Sequence, residues 1–152
     1  MAVDAWFARV LCRFGFDTTG QEEVVSGKLD EYIEEMQGDL QVDELNIKEV
    51  QMKLPALKHK WVGRLMRHKS QIGSMYRRKE ELAREATKKM KDSSMYNMSD
   101  AGLAKLIEKQ QPIIDINQEI ASVNIIVEFL EKSEKIFHSL SFDIKNLVEI
   151  MK

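Results

Sequence analysis

From Leu54 to Leu82 the apolar residues Leu54, Leu57, Trp61, Leu65, Ile72, Met75 and Leu82 recur at intervals of three, four or seven through an otherwise highly charged stretch. That rhythm is one face of a 3.6-residue helix and does not fit the two-residue alternation of a half-buried strand. Gly63 and Gly73 weaken such a helix by roughly 1 kcal/mol each relative to Ala, too little to break it. At 100° per residue from Trp61, the apolar positions fall within about 60° on either side, whereas Lys60, Arg67, Arg77, Arg78, Arg84, Lys88 and Lys91 fall outside. The spacing therefore predicts a helix over about 44–91 that packs on one side and stays wet on the others. Asp43 is placed to cap it, with acidic residues in its first turn where the helix dipole favours them. Pro55 predicts a kink.

Charge is segregated along the same stretch. Between Lys58 and Lys91 twelve cations stand against Glu80, Glu81 and Glu85, a surplus of nine, while residues 1–57 and 92–152 are acidic and the whole chain carries only −2. A near-neutral total thus conceals a polyanion-binding pattern. The candidate contacts are Lys58, Lys60, Arg64, Arg67, Lys69, Arg77, Arg78, Arg84, Lys88, Lys89 and Lys91, with Tyr76 at the edge of the apolar stripe as a base-stacking candidate. Trp61, at the centre of that stripe, reads as core. From Lys58 to Lys91 the helix would run about 50 Å, the span of some seven to eight nucleotides.

The remaining segments read as further helices, so the fold class is all-α: long amphipathic helices in an elongated bundle. Leu29, Ile33, Met36 and Leu40 give residues 28–40 an amphipathic helix ending near Gly38, with Glu34 and Glu35 on its solvated side. Ser99 predicts an N-cap, stapled by Met98 and Leu103, after a polar loop. Beyond Pro112 a broad stripe runs through Val123, Val127, Leu130, Phe137, Ile144 and Leu147. It is wider than a surface helix needs, so some of it should face either the basic helix or another copy of the chain, and these six residues are the candidate oligomerisation positions. A break is expected at Ser139-Leu140-Ser141, with Ser141 capping a last helix. Residues 1–27, with Trp6, Phe7, Val10, Leu11, Phe14 and Phe16, form an extension whose role stays open between a docked helix, a frayed end and an anchor. The rest, 28–152, reads as one helical domain whose assembly helices cover about 99–152.

Catalytic chemistry has no foothold in these residues. Phosphate-binding glycine loops, the dinucleotide fingerprint, the nucleophile elbow and the zinc-protease motif are all missing. His59, His68 and His138 with the lone Cys12 lack ligand spacing, so neither a metal nor a cofactor is expected. A single cysteine fits a reducing compartment. No apolar run approaches the length of a membrane span, and Asp4, Arg9 and Arg13 argue against a secretory leader.

Residues 28–152 resemble the UvsY family of recombination mediators of T-even-type bacteriophages. The resemblance rests on Leu29 to Glu35, on Lys60-Trp61 and His68, and on Phe142, Ile144 and Lys145 after the long apolar helix. It implies a non-enzymatic protein that binds single-stranded DNA, contacts a UvsX-like phage recombinase and the single-strand-binding protein, and works as a hexamer or heptamer in homologous recombination and repair. It implies the cytoplasm of the infected bacterial host as its location. In the family's basic pair, Arg84 occupies the first position but Ala86 stands at the second, where Lys88 and Lys89 are the available substitutes. The competing reading, from the residues alone, is a helical adaptor whose cations bind acidic proteins.

Overall fold

In the computed structural model, residues 27–93 and 98–152 are described; expectations for residues 1–26 and for the loop at 94–97 lie outside them. The described residues form four helices: α1 Gly27–Asp39, α2 Ile47–Asp92, α3 Asp100–Glu108 and α4 Gln111–Ile150. They contain no strand, and no helix among them is long and apolar enough to cross a membrane. They divide into two compact units, one comprising α1, α2 up to Met66 and α4 from Ile126, the other comprising Arg67–Ile125.

The first unit is built around Trp61, which is 1% exposed. Its ring stacks on Phe137 of α4 at 6.4 Å between centroids and meets the edge of Tyr32 of α1 at 5.7 Å. Leu29, Met36, Leu54, Leu65, Leu130, Leu140 and Ile144 are also buried in this unit. Buried positions at 29, 32 and 36, and again at 54, 61 and 65, keep the three-four-seven spacing that brings side chains onto one helix face. In the second unit Ala86, Ile107 and Ile113 make the centre of a smaller core, joined by Leu82, Ala83, Met90 and Leu103.

Local capping follows the expected chemistry. The Asp43 carboxylate accepts from the backbone N–H groups of Leu45 and Asn46, each at 2.8 Å, while Asn46 Oδ1 accepts from the Asp43 N–H at 2.8 Å. These reciprocal bonds occupy donors that the start of α2 would otherwise leave unpaired. Ser99 Oγ accepts from the Gly102 N–H at 3.2 Å. Pro55 lies inside α2, and the helix continues through it. The carbonyl of Gln51, which the missing proline N–H leaves without a helical donor, belongs to an exposed residue.

The expected break at Ser139–Ser141 does not occur: α4 is continuous to Ile150. Ser141 Oγ donates to the Phe137 carbonyl at 3.1 Å, and Ser133, 1% exposed, does the same to Phe129 at 2.7 Å. A serine whose hydroxyl bonds back one turn is satisfied inside a helix and need not end it. With neither Gly nor Pro between 113 and 150, nothing else interrupts the pattern.

The six candidate assembly positions fall in two environments. Val123, Val127, Leu130, Phe137 and Ile144 are buried within the chain's own cores, and of the six only Leu147 is exposed. The breadth of the stripe reflects intramolecular packing on several sides of α4, so those five side chains are already occupied.

Trp61→Ala is expected to destabilise the first unit by about 3–5 kcal/mol, the usual cost of deleting a large buried aromatic. Urea unfolding followed by circular dichroism measures it, and a loss below about 1 kcal/mol would place Trp61 outside the core.

Candidate nucleic-acid interface

The basic residues of α2 fall into two environments. In the first unit Lys58 is half-buried, and Lys60 and Arg64 are engaged by the chain itself. Lys60 Nζ donates to Glu35 at 3.0 Å and also bonds Asp39 Oδ2. Arg64 grips Glu35 with both terminal nitrogens, at 2.5 and 3.1 Å. The Trp61 indole N–H donates to Asp39 at 2.9 Å, which satisfies the one polar atom of a buried ring. Both cations also lie over aromatic faces: Arg64 sits 4.7 Å from the Trp61 centroid and 4.8 Å from that of Tyr32, and Lys60 sits 5.0 Å from Trp61.

Glu35 is exposed, as its place on a solvated face predicts, and is also the hub of this cluster. Hydrogen bonds from Arg64, and after it Lys60, hold its carboxyl at about 2, overcoming the opposing effect of burial. The same contact with Glu35 raises Arg64 further above its ordinary value. Sequence reasoning missed Glu35 and Asp39 because their partners lie 21 to 29 residues away, beyond any local spacing rule.

In the second unit the cations are more open. Arg67, Lys69, Arg77, Arg78, Arg84, Lys88, Lys89 and Lys91 are exposed, and Tyr76 is 50% exposed. Lys79 is drawn to Glu108 at 3.4 Å. Arg84 approaches Glu80 only at 3.9 Å, with both side chains more than 70% exposed, a contact worth little in water. Arg77 donates to Ser74 Oγ at 3.1 Å and keeps its charge available. Relative to buried Ala86, the directions of Arg77, Arg84, Lys88 and Lys91 lie within about 40° of the line pointing directly away from the core. These four make a row about 21 Å long, with Glu81 the one carboxylate sharing the face. Ala86, second in the motif implied by resemblance, faces inward at 7% exposure, so a cation there would be poorly placed, whereas Lys88 points outward.

Among the described residues no group of three or more His, Cys, Asp or Glu side chains is gathered to hold an ion. Near the C-terminus Phe142, Leu147, Ile150 and Met151 are exposed, at 58, 45, 81 and 57%. Beside them Val42, Leu140, Ile144, Leu147 and Ile150 line a hollow of about 370 Å³.

The fold is that of an all-α protein with a basic helical face. No protein-family model and no curated protein sequence matches the chain. Among solved structures it is similar to the recombination mediator protein UvsY of bacteriophage T4, with a TM-score of 0.70 and 15% identity over 81% of this chain and 95% of the other. A second crystal lattice of UvsY gives 0.67 and 16%, covering 81% and 94%. At this identity the likeness is one of fold, and it agrees with the resemblance read from the sequence.

The Glu35 cluster makes stability sensitive to acid. Its folded value of about 2 lies below the ordinary 4.5, so the contribution is complete above about pH 4.5 and is lost as pH falls towards about 2. The melting temperature is expected to drop more steeply through that window in the unmodified protein than in Glu35→Gln. Parallel profiles would contradict the assignment.

Proposed function

We propose that this protein is a non-enzymatic recombination mediator that binds single-stranded DNA. In this reading it helps a UvsX-like phage recombinase load onto DNA covered by single-strand-binding protein, in the cytoplasm of an infected bacterium. The observation that carries the proposal is the outward row Arg77, Arg84, Lys88 and Lys91, flanked by Arg78, Lys89 and the exposed ring of Tyr76. A row about 21 Å long spans roughly three nucleotides, a short footprint for one chain. The UvsY fold supports the biological setting. Cations without a base-reading motif favour binding through phosphates, weakened by salt and indifferent to sequence.

A short footprint gains from repetition. Several copies presenting the same face to one strand bind by avidity without any new contact. We therefore propose a ring-like homo-oligomer of six or seven copies, with its contacts at the exposed C-terminal side chains Leu147, Ile150 and Met151 instead of the buried stripe.

Replacing Arg77, Arg84, Lys88 and Lys91 together with Ala is expected to weaken binding to labelled oligo-dT at least tenfold at low salt and to flatten its salt dependence, with molecular mass unchanged. Fluorescence anisotropy reads both, and undiminished affinity would refute this placement of the site. For assembly, Leu147→Glu with Ile150→Glu is expected to give smaller species in multi-angle light scattering. An unmodified chain that runs as a monomer would overturn the oligomer.

A further inference from the structure

Lys60 and Arg64 belong to the basic stretch but are held by Glu35 and Asp39 of the chain's own α1. The contact has features of an exchangeable bond more than of a sealed core pair. The side chains of Lys60 and Arg64 keep 30% and 22% of their exposure and that of Glu35 keeps 40%, so an incoming anion can reach the cluster from solvent. Glu35 meets Arg64 through two oxygens and two nitrogens, the same fork geometry that a phosphate offers. Exchanging one oxyanion for another conserves the charge-assisted bonds, and the guanidinium keeps its seat over Trp61 and Tyr32.

We propose that Glu35 and Asp39 are a built-in competitor for nucleic-acid phosphates, a latch that withholds Lys60 and Arg64 from a strand until a phosphate displaces the carboxylates. This rests on the strand-binding reading above and deepens it by adding regulation. Such a latch lowers the affinity of the free protein and confines tight binding to a polyanion dense enough to replace two carboxylates at once. It also couples binding to structure. The carboxylates join α1 to α2, and Asp39 holds the Trp61 indole N–H, so displacement loosens α1 and changes the polarity around Trp61.

The test compares the unmodified chain with Glu35→Gln, which removes the competing charge, and with Glu34→Gln, which removes an exposed charge one residue away on the same helix. Affinity for oligo-dT is titrated by anisotropy over a range of salt. Glu35→Gln is expected to bind about threefold to tenfold tighter, with a log–log salt slope steeper by about one, while Glu34→Gln stays close to the unmodified chain. Adding Arg64→Gln to Glu35→Gln is expected to remove the extra slope. In a Trp6→Phe background, where Trp61 is the one remaining indole, emission should shift on binding oligo-dT. Equal effects of Glu34→Gln and Glu35→Gln would reduce the latch to a general field effect and overturn it, as would an extra slope that survives loss of Arg64. If the unmodified chain binds no oligo-dT, the proposed function falls and the latch falls with it. If it binds but Glu35→Gln changes nothing, only the latch falls.

Discussion

Burial of the Trp61 indole sets the terms for the rest of the first unit. An indole at 1% exposure brings a large apolar area out of water, and its N–H then needs a partner that water can no longer supply. Asp39 is that partner, and a carboxylate drawn into a half-buried site needs a cation, which Lys60 provides. Lys60 shares Glu35 with Arg64, and Arg64 closes the arrangement by lying across Trp61 and Tyr32. This aromatic packing therefore accounts for which carboxylates of α1 meet which cations of α2.

Periodicity made the helices legible because a helix face is a local property: residues three, four and seven apart meet whatever the rest of the chain does. The core role of Trp61, the Asp43 and Ser99 caps and the exposure of Tyr76 follow from that geometry. Tertiary pairing was not legible. Glu35 lies on the polar side of α1 by its own pattern, and only the approach of α2 gives it partners. The broad stripe of α4 was ambiguous for a related reason, since hydrophobic width records how many surfaces a helix touches and not whether those surfaces belong to another copy. Ser141 resembled a cap because serine is a common one, yet a hydroxyl bonded to Phe137 is equally content in mid-helix.

Charge segregation by segment therefore has two physical meanings here. In the first unit the acidic α1 neutralises part of the basic helix and locks it in place. In the second unit Glu108 takes Lys79 and Glu80 approaches Arg84 loosely, while the outward row of cations stays exposed. Conserving net charge while exposing one sign of it on a rigid helix allows a protein of pI about 6.0 to present a cationic surface.

The central claim is that the outward face of α2 between Tyr76 and Lys91 is where a strand lies. Photo-crosslinking with an iodouridine-substituted oligonucleotide, followed by mass mapping of the adducts, tests it most directly. Adducts should concentrate on Tyr76 and on peptides from 76–91. Adducts confined to α1 or to α4, with that stretch of α2 unmodified, would contradict the account.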